Sequence, residues 1–203
     1  MKHLQLPPTL RTATIDEIPN TEENKEWLKE REVAKIIQGY TLETNENLEL
    51  PFKFYSEINI DNPNLWELFW ALAFTLPNEA CFIFSHADEE PSFSPYTNKK
   101  ELLGIVSNYS KELSQDGFIE FGIVYQDSNI LEEVFVKKSK FIQYWGSDHQ
   151  SFLDIMIDFE LTQIHGLNFI DEFPLVTIPL NIHDPSVLET QILLENLRQQ
   201  ILR

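Results

Sequence analysis

The sequence predicts an α+β fold in which a mostly antiparallel sheet of about five strands is packed by helices. Three observations carry that expectation. Residues 118–126 and 131–137 are rich in β-branched and aromatic side chains and are separated by Asp127-Ser128-Asn129, so they form a hairpin. Asp61-Asn62-Pro63, a capping residue ahead of a proline in the first turn, opens an apolar run over 65–74 with Trp66, Phe69, Trp70, Ala73 and Phe74 at helical offsets. A chain of 203 residues, 42% of them hydrophobic, is also long enough to bury a sizeable core.

Taken in order, residues 1–20 carry Pro7, Pro8 and Pro19 and read as an extended N-terminal arm, with 21–203 a single α+β domain. Thr21 caps a helix over about 22–38, since Glu22, Glu23 and Glu26 occupy its positive end and Gly39 follows its last turn. Residues 52–58 alternate as a strand, and Pro51 points to an edge or a bulge. After the helix at 63–76, residues 80–86 read as a central strand and 88–96 as a polar loop. Thr97 starts a helix to about 113, with Gly117 beyond it. A third strand at 140–145 follows the hairpin through the Lys138-Ser139 turn. Ser147 with Gln150 three residues on forms a capping box for a helix over 148–164. Asp184-Pro185 repeats the cap-plus-proline signal before a last helix at 186–202.

The charge is −18 at pH 7, from 15 Lys+Arg against 33 Asp+Glu. It is spread along the chain, with −4 over 1–60, −5 over 61–110, −6 over 111–160 and −3 over 161–203. Such a field repels nucleic acid and anionic membranes and speeds encounter with a basic partner. The longest apolar stretch is too short to span a bilayer. The first residues show no secretory leader, so cytoplasmic residence is expected. Cys81, the single cysteine, excludes an internal disulfide, and its apolar flanks suit a buried, inert thiol.

Recognisable catalytic motifs are missing. The six glycines are too far apart for a GxGxxG turn, none is followed by the Lys-Ser/Thr of a Walker loop, and neither GxSxG nor HExxH occurs. No cofactor is expected. The densest polar cluster, Ser85-His86-Ala87-Asp88-Glu89-Glu90, leaves a strand at its carboxyl end, and His86 with Asp88 has chemistry suited to a metal or an acid–base pair. Lys137, Lys138 and Lys140 among Phe135, Phe141, Tyr144 and Trp145 mimic a single-strand nucleic-acid surface, but the overall charge opposes it, and lysines at a hairpin turn also protect a sheet edge.

The leading expectation is a non-enzymatic, acidic protein-binding module, an inhibitor or immunity-type protein that neutralises a basic partner. Its contacts are assigned to Asp88, Glu89, Glu90, Glu132 and Glu133. In composition the chain is similar to small acidic cytoplasmic proteins of bacterial toxin–immunity systems. One alternative is a hydrolase or metal-dependent enzyme centred on His86 and Asp88. Another is a structural homo-oligomer joined through its apolar helices.

Overall fold

Along 119–146 apolar and polar side chains alternate with a period of two, which gives a sheet one buried and one solvated face. A computed structural model describes residues 3–202 of the chain, so the first two residues of the arm and Arg203 lie outside the described residues. In chain order the elements begin with β1 (Leu10–Thr12), α1 (Glu22–Val33), β2 (Gly39–Tyr40), β3 (Glu43–Thr44), β4 (Phe54–Asn59) and α2 (Asn62–Thr75). There follow β5 (Glu79–His86), β6 (Ser92–Phe93), β7 (Thr97–Asn98), α3 (Lys99–Val106), α4 (Ser110–Gln115), β8 (Ile119–Gln126), β9 (Leu131–Val136) and β10 (Ile142–Gly146). The last are α5 (His149–Asp158), β11 (Leu175–Thr177), α6 (Leu180–His183) and α7 (Thr190–Ile201).

The fold is α+β. The main sheet runs β2-β4-β10-β9-β8-β5-β6, with β3 also on β4 and β7 also on β5, and its strand pairings are antiparallel. The arm is docked: β1 pairs antiparallel with β11 in a separate two-stranded sheet, Leu10 opposite Thr177. One face of the main sheet presents Phe54, Ile58, Phe82, Phe84, Phe121, Ile123, Val134, Val136 and Tyr144, all buried against the helical layer. That layer contributes Leu65, Leu68, Phe69 and Leu72 from α2, Phe152 and Met156 from α5, and Leu193, Leu194, Leu197 and Ile201 from α7. Phe69 meets Phe121 edge-on at 4.9 Å, and Phe152 stacks on Tyr144 at 5.4 Å.

Several elements differ from the sequence expectation for identifiable reasons. The first helix ends at Val33, not near 38, because Gly39 belongs to β2. Its φ of +153° and the approach of Ile164 and the Thr162 carbonyl leave no room there for a Cβ. Residues 80–86 form β5, but β9 and β10 hold the middle of the sheet, and β5 has only the short β6 and β7 outside it. The stretch 97–113 starts with a two-residue strand and then breaks into α3 and α4, with Asn98, not Thr97, accepting from the Lys100 N–H at 2.9 Å. Asp148, not Ser147, caps α5 by accepting from the Ser151 N–H at 3.1 Å. That helix stops at Asp158, and the Ile164 N–H donates to the Tyr40 carbonyl at 2.9 Å instead. Asp184 closes α6 and accepts from Ser186, while α7 begins only at Thr190.

Two tryptophans also move outward. Trp66 and Trp70 are half-buried and Phe74 is exposed, because α2 is rolled so that Leu65, Leu68, Phe69 and Leu72 face the sheet and Trp66 reaches it only at the margin, its ring 6.2 Å from Phe121. The lysine group disperses as well. Lys137 pairs with Glu120 at 2.9 Å and Lys138 with Asp88 at 2.8 Å. Lys140 plunges into the core, where its Nζ donates to the Leu113 carbonyl at 3.0 Å and the Ile119 carbonyl at 2.8 Å. Its backbone is left-handed, φ +63°, at the turn position where glycine is usual. Lys99 likewise turns inward and donates to the Phe74 and Leu76 carbonyls at the end of α2, the place where a helix favours a cation.

Candidate functional site

The helices leave the second face of the main sheet open at its β3-β4-β10 end. Directly opposed residues in antiparallel strands point to the same side, so the register reads out rows across this face. Glu43 on β3 lies opposite Tyr55 on β4, Tyr55 opposite Trp145 on β10, and Trp145 opposite Glu133 on β9. The row continues through Val124 on β8 to Cys81 on β5. A second row, shifted by two residues, runs Glu57, Gln143, Phe135, Gly122, Ile83 and Phe93.

The β5 end of these rows closes over itself, since Cys81, Ile83 and Val124 form a small buried cluster with Leu131 and Phe135 against it. Across the far end of β4 and β10 lies the segment 164–173, where Phe141, Leu167 and Phe169 cluster and Asn59 Nδ2 donates to the Asn168 carbonyl at 2.9 Å. Between these two covers, Tyr55, Glu57, Glu133, Gln143 and Trp145 remain partly exposed and Glu43 is exposed.

The aromatic pair is held firmly. The Tyr55 and Trp145 rings lie 4.8 Å apart, tilted by 42°. The Tyr55 hydroxyl donates to Glu57 Oε1 at 2.8 Å and accepts from Gln143 Nε2 at 2.9 Å, which fixes the phenol ring in place. Burial and the Glu57 carboxylate push the phenol well above its ordinary pKa, so it stays neutral. Beside the rings opens a shallow cavity of about 610 Å³ walled by Phe52, Tyr55 and Trp145, with the carboxylates of Glu43 and Glu46 at its side. Neither carboxylate has an ion-pair partner among the described residues.

Glu133 is the most unusual group of the row. It sits between Trp145 and Val124 across the strands, with Leu131 and Phe135 before and after it on the same face. No cation or hydrogen-bond donor meets its side chain among the described residues, and desolvation pushes its carboxyl up to about 7. A half-buried carboxylate left without a partner is a place where an external cation gains the most.

The residues singled out from the sequence fall in different places. Glu132 and Glu133 are neighbours on one strand and therefore go to opposite faces. Glu132 is buried at 8% exposure among the core side chains, accepting from the Ser147 N–H at 3.1 Å, so it is turned away from any partner on the open face. Asp88, Glu89 and Glu90 are exposed in the turn after β5. Asp88 has φ +70° and is engaged by Lys138, which holds its carboxyl below the usual range. His86 stacks on Phe118 at 5.6 Å, and its Nδ1 lies 2.8 Å from the Ala87 carbonyl. No group of three or more His, Cys, Asp or Glu suited to a metal ion occurs among the described residues, so His86 and Asp88 are not joined by further ligands there.

Cys81 is 4% exposed, its Sγ 3.0 Å from the Ser94 carbonyl, and burial pushes the thiol up. Sequence reasoning missed Glu43, Tyr55, Trp145 and Glu57 as a group. The available signal was the mixture of aromatic and acidic side chains at alternate positions of strands whose other positions are mostly apolar. No helix of the described residues is long and apolar enough to cross a membrane. No protein-family model matches this chain, and neither a curated protein nor a solved structure is significantly similar to it.

Proposed function

We propose that the chain is a non-enzymatic, acidic protein-binding module of the cytoplasm that receives a basic protein on its open sheet face, in the manner of an inhibitor or immunity-type protein. The observation that carries this reading is the row Glu43–Tyr55–Trp145–Glu133, in which two carboxylates without an ion-pair partner among the described residues bracket a partly exposed aromatic pair. Aromatic side chains with two stiff dihedrals bury area at small entropic cost, and tryptophan and tyrosine dominate the energetics of protein interfaces. The charge of −18 steers a cationic surface towards the molecule, and the row supplies contacts that hold it once it arrives. Glu89 and Glu90, exposed in the turn beyond β5, add to the negative field of the molecule, while Asp88 in the same turn is paired with Lys138. One cysteine, Cys81, makes no demand on an oxidising compartment.

The test is capture on the immobilised chain from an extract of its native host at low and high salt, with the bound protein identified by mass. The expected partner is basic, is released as salt rises, and is not retained by Trp145→Ala. A partner that is acidic, or one held equally at high salt and by Trp145→Ala, overturns the reading.

A further inference from the structure

The sheet face already binds one cation of its own. Lys137 Nζ stands 5.3 Å from the centre of the Phe135 ring and 2.9 Å from Glu120 Oε1, so an aromatic face and a carboxylate share a single ammonium. The chain repeats the same combination at Tyr55 and Trp145 with Glu43 and Glu46, but supplies no cation there. Glu133 borders the same rings on their other side, giving carboxylates on both flanks of the aromatic pair, about 14 Å apart across three strand spacings.

We propose that the cavity over Tyr55 and Trp145 is an arginine site, seating one guanidinium of the basic partner against the indole and phenol rings with its fork towards Glu43 and Glu46. The inference rests on the reading that the open face receives a basic protein, and it names the side chain that anchors it.

Guanidinium is favoured over ammonium by the shape of the site. The walls Phe52, Tyr55 and Trp145 are flat rings, and a planar, weakly hydrated guanidinium stacks on such rings while its N–H groups reach a carboxylate bidentately. The Tyr55 hydroxyl is already committed to Glu57 and Gln143, so the ring and not the oxygen is what the site offers. Glu43 and Glu46 are exposed, and no lysine or arginine forms an ion pair with either among the described residues, exposed Lys53 beside Asn45 included. The long-range field brings the cation in, and the rings give it a preferred seat.

The experiment is a titration of the full chain, followed by the Trp145 indole N–H in two-dimensional proton–nitrogen spectra and assigned with Trp145→Phe. The probes are acetyl-Gly-Arg-Gly-amide, its uncharged citrulline counterpart and its lysine counterpart. The arginine peptide is expected to move the Trp145 resonance saturably, the lysine peptide to bind more weakly, and the citrulline peptide to have no effect. Glu43→Gln with Glu46→Gln, a double change at exposed positions that leaves the core untouched, is expected to weaken the arginine peptide about tenfold.

Equal binding of the citrulline peptide, or a response at Trp66 and Trp70 with none at Trp145, overturns the site. Tighter binding of the lysine peptide overturns the guanidinium assignment. If Trp145 is silent while a basic partner is still captured in a salt-dependent manner, the arginine site fails and the broader reading stands; if no basic partner is captured, both fail.

Discussion

Replacing Glu133 with glutamine should stabilise the protein, and only at neutral to alkaline pH. The carboxyl is raised from 4.5 to about 7 because Trp145, Val124, Leu131 and Phe135 surround it and no cation answers it. Lys137 on this side is held by Glu120, Lys53 stands exposed two residues before Tyr55 without an ion pair among the described residues, and Glu57 on β4 and Glu43 on β3 add negative charge. In the folded state the group binds its proton more tightly than in the unfolded chain. The penalty is therefore full above about pH 7, fades as pH falls through 7, and is gone below 4.5.

A rise of this size has a ceiling of about 3 kcal/mol. Water still reaches a half-buried carboxylate, which brings the expected gain to about 1.5 kcal/mol. Urea unfolding at pH 8 should show the midpoint of Glu133→Gln about 0.6 M above the wild type, and at pH 4 the two curves should coincide. Glu132 and Asp171, also raised by burial, are common to both proteins and drop out of the difference. A variant no more stable at pH 8, or one whose gain persists unchanged at pH 4, would refute the account of an unpaired, desolvated carboxylate.

Other expectations follow from the core and its buried groups. Leu68 on α2 is fully buried, so Leu68→Ala should cost about 2–5 kcal/mol in thermal or urea unfolding, while Trp70→Ala, half-buried on the same helix, should cost less; the reverse order would place α2 wrongly. Lys140→Ala keeps the left-handed backbone but leaves the Leu113 and Ile119 carbonyls without their donor, and should cost about 3 kcal/mol. A loss within error would show that the buried ammonium contributes nothing. Native Cys81 should react with a thiol reagent at least ~100-fold more slowly than in the unfolded chain; labelling at the unfolded rate would contradict its place under Ser94. The association rate with a basic partner should fall steeply as salt shortens the Debye length from about 10 Å at 0.1 M, and a salt-independent rate would remove electrostatic steering.

Local chemistry was legible where it was strong. The turn Asp127-Ser128-Asn129 closes as expected, with Asp127 Oδ1 accepting from the Asn129 and Ile130 N–H groups at 2.7 and 2.9 Å, and β8 and β9 pair around it. Asp61-Asn62-Pro63 starts α2 within a residue of its expected place. What failed was competition between signals of similar strength. Asp148 stands next to Ser147, and either is a good cap. Gly39 suits a helix stop equally well as a strand pressed against Ile164, and only the second is realised because Tyr40 must reach both Ile58 and Gln163.

The candidate site was harder still. Its row is defined by which residue of β3 faces which residue of β4 and so on to β9, and such register is set by long-range packing of the opposite, apolar face. Glu132 and Glu133 show the consequence, since a pair of adjacent acids reads as one patch in the sequence and becomes one core residue and one surface residue in the sheet.

The open face, and not the net charge alone, should hold a basic partner. This is tested most directly by two charge-matched double variants assayed for affinity towards the captured basic protein. Glu43→Gln with Glu133→Gln neutralises the row beside Tyr55 and Trp145, and Glu67→Gln with Glu101→Gln neutralises two exposed acids on α2 and α3 in the helical layer. The first pair should weaken binding about tenfold or more and the second by less than about twofold. Equal losses from the two pairs, or a loss from the helical pair alone, would contradict it.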